Sequence, residues 1–150
     1  MVYIHKETFD IIMTDLPRIA QNGDYFAADE LIAPVIQALN RKGYITKACC
    51  AGHPFTYITE GYLHGDPEHK IFESRGDVTR AYILFRENIF LPTSPALPSE
   101  FVAEKTDDRV CINKLYMCKG DIYGFSREIL GSMESLYEWV LELPDFNAQE

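Results

Sequence analysis

The sequence predicts an α+β domain with a mixed or antiparallel sheet and helices packed mainly on one face of that sheet. Two patterns predict this class. Several short segments rich in β-branched and aromatic residues are bounded by turn-forming residues, whereas two others carry apolar residues at helical spacing. Their order is a strand, a weak helical segment, a helix, several strands and a final helix, which fits helices packed on a sheet. The 150 residues are expected to form a single domain, 1–150.

The N-terminal half contains one well-marked helix. Asp29 is a plausible N-cap residue, and the residues up to Gly43 provide a C-terminal stop. Pro34 lies too deep for a first-turn proline if Asp29 is the cap, so the regular helix is expected to begin nearer Ala33. Residues 9–20 are ambiguous, because a proline interrupts their helical spacing. The apolar face of the helix consists of Ile32, Val35, Ile36 and Leu39.

The other predicted elements are strands and a final helix. Ser126 is expected to cap this helix, which follows the 3.6-residue period and ends near Pro144. The polar segment 61–77 is predicted to be a binding loop, a lid or a mobile connection, and the proline-rich segment 91–98 an extended crossing. The predicted strands span residues 2–5, 44–50, 57–62, 80–85, 101–105 and 110–118.

Charge and composition narrow the range of partners. The chain has 14 basic and 23 acidic residues and a net charge of −9. A long nucleic-acid duplex is therefore a poor first choice of partner, although a local basic patch such as Arg41, Lys42 and Lys47 could hold a nucleotide. No secretory segment or membrane-spanning run is visible, so we expect a cytoplasmic protein with reduced cysteines and no membrane partner. Homo-oligomer formation stays open.

The stretch from Asp29 to His53 has the clearest features of a site. The predicted helix is followed by a short strand that ends in Cys49-Cys50-Ala51-Gly52-His53. Alternation along a strand puts the two thiols on opposite faces, so one is expected to be buried and the other to border the turn. Gly52 would let a ligand approach the backbone closely, and the amides of this turn could form an anion-binding nest.

The same stretch resembles a known family, the wybutosine-synthesising tRNA methyltransferases. The residues that carry the resemblance are Asp29, Glu30, Pro34, Leu39, Asn40, Tyr44, Thr46, Cys50 and Gly52. Cys49, Ala51 and His53 stand where the family has two serines and an arginine. The family transfers a methyl group from S-adenosylmethionine to a modified guanine of tRNA. For this chain, the resemblance implies the local fold and a nucleotide-like ligand, S-adenosylmethionine included, rather than the reaction.

Together these features predict that the protein binds a nucleotide or a nucleotide-derived metabolite at the turn formed by residues 49–53, with the 61–77 loop as a wall. If a reaction takes place, His53 is the candidate acid or base and Cys50 the candidate nucleophile. The candidate ligand-binding residues are Arg41, Lys47, Gly52, His53, His64 and Arg75.

Three alternatives stay open. Cys49 and Cys50 could simply fill a core next to an ordinary turn. The chain could also be a non-enzymatic interaction protein, of the phage or mobile-element type, that binds a host protein or a signalling nucleotide. An exposed apolar patch near the proline-rich crossing would favour a protein partner, and a deep polar-rimmed pocket at His53 would favour a metabolite. The third alternative is a zinc site, although the sequence has no closely paired zinc motif. Its ligands would be one of Cys49 or Cys50 with His53, His64 and His69, or else Cys111 and Cys118.

Overall fold

The computed structural model describes residues 2–13, 23–52, 78–117 and 122–146. Within these residues the chain forms two antiparallel sheets and two helices, which confirms the predicted α+β class with antiparallel sheets. None of the described helices is long and apolar enough to cross a membrane. In chain order the elements are β1 (Val2–His5), β2 (Ile11–Ile12), β3 (Tyr25–Ala28), α1 (Ala33–Arg41), β4 (Thr46–Cys50), β5 (Val78–Phe85), β6 (Val102–Thr106), β7 (Arg109–Met117) and α2 (Ile122–Glu142).

The first sheet is small and has the strand order β2-β1-β3. Ile4 of β1 lies opposite both Ile11 and Phe26, and it is fully buried. Side chains that face each other across antiparallel strands share one side of the sheet. One side of this sheet therefore carries apolar residues into the core, where α1 packs against β1 and β2.

The second sheet has the strand order β4-β5-β7-β6. Cys49, Ile83 and Ile112 form one cross-strand row on its inner side, and both isoleucines are buried. The next row, on the outer side, consists of Cys50, Tyr82 and Asn113 together with a residue of β6. The sheet thus has one face in the core and one face directed away from it, which agrees with the expected placement of helices on one side.

Helix α2 covers the inner face of the second sheet. Its predicted apolar stripe is buried at all four positions: Ile129, Met133, Leu136 and Val140. Lys114 of β7 donates to the Ser132 hydroxyl at 2.7 Å, and the Trp139 indole N–H donates to the Pro95 carbonyl at 3.2 Å. These bonds tie the helix to the sheet and to the proline-rich crossing.

The C-terminal end of α1 is closed by a Schellman motif and by the segment that follows α2. The Tyr44 N–H donates to the Leu39 carbonyl and the Gly43 N–H to the Asn40 carbonyl, each at 3.0 Å. Gly43 has φ +94°, the left-handed conformation that this motif requires. Phe146 packs directly against it, since a Cβ added to Gly43 would lie 3.1 Å from the Phe146 Cβ.

The N-terminal caps of both helices differ from the predictions made from sequence. The first helix begins at Ala33, as Pro34 indicated, and its N-cap is Ile32 rather than Asp29. The second helix begins at Ile122, so Ser126 lies inside it and is not its cap. Helical apolar spacing continues upstream of Ser126 in the sequence, and the packing of a 21-residue helix outweighs one residue's preference for a cap position.

The predicted strands lie within two residues of the observed β1, β4, β5, β6 and β7. In the ambiguous segment the structure has the two-residue strand β2, and residues 14–22 lie outside the described part of the chain. The same holds for the predicted strand 57–62 and the polar segment 61–77. Within the crossing 91–98 the structure has no helix or strand, as three prolines predict.

Replacing Gly43 by alanine should lower the free energy of unfolding by about 1–2 kcal/mol, because an L-residue is strained at positive φ and the new Cβ meets Phe146. Gly131 is the matched control. It lies in the middle of α2 with nothing within 4 Å of an added Cβ. Gly131→Ala should stabilise the protein by up to about 1 kcal/mol through helix propensity. Chemical denaturation of both variants measures the difference, and equal effects would contradict the described helix end.

Candidate functional site

Two polar side chains, one in α1 and one just before it, form hydrogen bonds to the two ends of strand β4. Asn40, at the end of the helix, bonds to Thr46 at the start of the strand. Asp29, before the helix, accepts a hydrogen bond from the Ala51 N–H at 3.0 Å, directly after the strand. Both residues belong to the stretch that the sequence marks as a site. Their observed contacts are internal, and they fix where the two ends of β4 lie.

The Asn40 amide is fully engaged at its end of the strand. It is 4% exposed and donates to the Ile36 carbonyl at 2.7 Å and to the Thr46 hydroxyl at 3.0 Å. Its oxygen accepts the Thr46 N–H at 3.2 Å. A buried amide with these partners has a structural role, because removing it would leave buried polar groups unsatisfied.

The turn after β4 is closed by its own contacts. Asp29 takes the Ala51 N–H, and the Gly52 N–H donates to the Cys50 sulfur at 3.4 Å. Gly52 has φ +96°, as the tight turn requires. These two amides are therefore occupied within the turn, and the Asp29 carboxylate adds a negative charge beside it. An anion would meet a less favourable environment here than the sequence suggested.

The two thiols at this end face opposite sides of the sheet, as strand alternation predicted. Cys49 packs against the core, and Cys50 lies beside Tyr82 on the outer face. Burial, together with the nearby charges of Asp29 and Cys50, raises the pKa of Cys49 to about 12. Burial also raises the pKa of Cys50, with Asp29 adding to the effect and the Gly52 N–H opposing it. Both thiols therefore stay protonated at neutral pH, in which form they are weak nucleophiles.

A pocket with several cations lies at the opposite end of β4. It has a volume of about 280 Å³ and forms where the loop after β1, strand β3, the end of α1, the start of β4 and the end of β5 meet. We call it the basic pocket. Its lining residues are Lys6, Phe9, Phe26, Asn40, Ile45, Thr46, Lys47 and Arg86. Three of these are cations and none is acidic, in a protein whose net charge is −9.

The three cations of the basic pocket, Lys6, Lys47 and Arg86, form no ion pair with any residue that the structure describes. Lys47 and Arg86 also line a second depression of about 500 Å³ with Glu87, Asn88 and Arg109. The Arg109 guanidinium donates to Glu87 at 2.7 Å and, with its charge, lowers the pKa of that carboxyl. Among the described residues that line this second depression, the one acid is Glu87, and it is ion-paired with Arg109.

Helix α1 positions one wall of the basic pocket. The Gln37 amide donates to the Phe9 carbonyl at 2.9 Å, and Arg41 reaches the Thr8 carbonyl at 3.4 Å. Arg41 also forms an ion pair with Asp10 at 2.9 Å. These contacts connect the helix to the β1–β2 loop, which carries Phe9. Arg41, predicted from sequence as a ligand contact, is observed in a positioning role outside the pocket.

The structure separates the other residues predicted for the site. Lys47 lines the basic pocket, whereas Cys50 and Gly52 lie at the far end of β4. The predictions for His53, His64 and Arg75 fall on residues outside the described part, as do those for His69 and Cys118. Within the part of the chain that the structure describes, Cys49, Cys50 and Cys111 form no disulfide bond. Among the described residues, no group of three or more His, Cys, Asp or Glu side chains is placed to hold a metal ion.

Sequence reasoning missed Lys6 and Arg86. Each directly follows a strand, β1 and β5 respectively, and Lys47 lies near the start of β4. Because β4 and β5 are antiparallel, the start of one lies beside the end of the other. A cation directly after a strand could have marked Lys6 and Arg86 as site residues, but only once the pairing of the strands was known.

The free energy of unfolding should fall at alkaline pH, partly because the Cys49 thiol ionises more readily in the unfolded chain than in the folded protein. In the folded protein this thiol stays neutral up to about pH 12, whereas its ordinary pKa is 9.0. A pKa raised by folding gives stability that is complete below the unfolded pKa and is lost as pH rises through the folded one. Cys49→Ala should therefore lose less stability than the parent protein between neutral pH and about pH 10 in urea denaturation with reductant present. An identical loss in both proteins would show that the thiol ionises freely.

Comparison with protein-family models, with curated proteins and with solved structures gives no match for this chain. The resemblance of residues 29–53 to the wybutosine-synthesising family stays a prediction. What the protein binds is inferred below from the chemistry of its described residues.

Proposed function

We propose that this protein binds a small phosphorylated ligand of the nucleotide type in the basic pocket, with its anionic groups on Lys6, Lys47 and Arg86. The observation that carries the proposal is the convergence of these three cations on one pocket: none of them is ion-paired with a described residue, and no acid is found among the described lining residues. Like charges around one pocket repel one another, and a bound anion relieves that repulsion. The proposal concerns binding and includes no reaction.

The shape of the site supports a ligand with an apolar ring and a charged tail. Phe9 and Phe26, both partly buried, provide an apolar wall in the basic pocket. A volume of about 280 Å³ is at the lower end of the range of small-molecule sites. It accommodates a base or a sugar, and the phosphates can extend over Lys47 and Arg86 into the neighbouring depression. Aromatic rings next to cations are a common combination in nucleotide recognition.

The proposed ligand belongs to the class predicted from sequence, but it binds at a different place in the fold. Lys47 is common to both, but the anion now lies at the start of β4 and away from the Cys49–Gly52 turn. Asp29 supports this choice, because its carboxylate bonds to the turn and would repel a phosphate there. S-adenosylmethionine, which the sequence resemblance implies, carries a single carboxylate and two cationic groups. It is therefore expected to bind this pocket more weakly than a nucleotide phosphate.

The proposal is tested by isothermal titration calorimetry with four probes: ATP, AMP, adenosine and S-adenosylmethionine. The phosphorylated probes should bind more tightly than the other two, and higher salt should weaken their binding. Lys47→Ala and Arg86→Ala should each weaken phosphate binding by about tenfold to a hundredfold, because each removes a charged hydrogen-bond donor.

Lys105→Ala is the matched control, since Lys105 is an exposed cation of β6 that lines neither depression. It should leave the affinity unchanged. Equal affinities for ATP and adenosine, or an unchanged affinity in both pocket variants, would contradict the proposal. Circular dichroism of each variant verifies that the fold is retained.

A further inference from the structure

Another concave surface lies on a different part of the molecule, between α1 and α2. It has a volume of about 560 Å³, and we call it the interhelical groove. Its lining residues are Glu30, Leu31, Pro34, Val35, Leu130, Met133, Glu134, Tyr137 and Glu138. None of them lines the basic pocket. A property of this groove is therefore independent of the proposed ligand site.

The groove is apolar at its floor and along its walls. Val35 and Met133 form a buried floor, at 1% and 3% exposure. Leu31, Leu130 and Tyr137 stand in the walls and are 45%, 45% and 39% exposed, although their side chains are largely apolar. Large apolar side chains that meet in one concave surface mark a contact site more strongly than scattered ones do.

Helix α2 has more apolar residues than the core uses. The stripe from Ile129 to Val140 is buried against the sheet. Leu130, Tyr137 and Leu141 form a second stripe, displaced by one residue, and all three are exposed. Leu130 and Tyr137 are seven residues apart, so they lie on the same side of the helix, above the groove. This side of α2 has the composition of a helix face that packs against another element.

The rim of the groove is uniformly acidic. Glu30 borders it on the α1 side, and Glu134 and Glu138 border it on the α2 side. Its lining includes no basic residue among those that the structure describes. An apolar floor with an acidic rim complements an element that has an apolar stripe flanked by Lys or Arg. A helix laid into a groove between two helices is a common arrangement for such recognition.

We propose that the interhelical groove binds a basic amphipathic helix of a partner protein. The partner's apolar stripe lies on Leu31, Leu130 and Tyr137, and its cations face Glu134 and Glu138. A second copy of this chain is less suitable, because each copy carries a net charge of −9 and would bring its acidic rim against another. An anionic membrane surface is disfavoured by the same carboxylates.

The test uses two synthetic peptides of about 14 residues, close to four helical turns, that share one leucine stripe at helical spacing. Lysine flanks the stripe in the first peptide, and glutamate replaces every lysine in the second. Both carry a fluorescent label, and anisotropy measures their binding to the complete protein. The basic peptide should bind, the acidic peptide should not, and added salt should weaken the complex.

Two groove variants and two controls locate the contact. Leu130→Asp should weaken binding of the basic peptide by more than about tenfold, because an apolar contact is lost. Glu134→Lys should weaken it by about threefold to tenfold, through reversal of one rim charge. Glu128→Lys makes the same charge change on a different face of α2, and Leu115→Asp changes an exposed leucine of the sheet. Both controls should bind like the parent protein.

Three results would overturn the proposal. The first is failure of the basic peptide to bind, or equal binding of both peptides. The second is equal weakening by the groove variants and their controls, which would place the contact elsewhere. The third is a dimer in sedimentation velocity that Leu130→Asp converts to a monomer, since the groove would then be covered by a second copy.

Discussion

The fold depends on how strand β4 is anchored between α1 and the larger sheet. Asn40 holds the start of β4 through Thr46, and Asp29 holds its end through the Ala51 N–H. With both ends held from the helix side, β4 is free to pair with β5 along its other edge. The helix also contacts the small sheet, so this one unit sets the relative positions of both sheets and of the surfaces between them.

The anchoring gives the two ends of β4 different chemical properties. At the far end, Asp29 and the turn's own contacts occupy the amides, and burial keeps both thiols protonated. At the near end, the strand places Lys47 beside Arg86 in the basic pocket, whose described lining residues include no acid. The difference follows from which polar side chain holds each end, a neutral amide or a carboxylate. It explains why an anion suits the near end, although the sequence pattern drew attention to the far one.

Local pattern was enough to predict the fold class, the buried stripe of α2 and the opposite orientation of the two thiols, because each depends on residues close in sequence. It did not reveal the roles of Asp29 and Asn40, which resemble a helix cap and a helix stop when only their neighbours are considered. Their partners lie 22 and 6 residues away, across a tertiary contact. The basic pocket was missed for a similar reason: Lys6, Lys47 and Arg86 meet only after strands pair. The exposed leucines of α2 gave no separate signal in the sequence, because the buried apolar stripe was enough to account for the helix.

The most direct test of the proposed ligand site is to map where ATP contacts the protein, by titrating ¹⁵N-labelled protein and following its amide resonances. A ligand in the basic pocket should give the largest shifts at Lys6, Phe9, Thr46, Lys47 and Arg86. Amides from Asp29 and from Cys49 to Gly52 should move little. Shifts concentrated at the Cys49–Gly52 turn, with the basic pocket unaffected, would contradict the proposed site and return the ligand to the far end of β4.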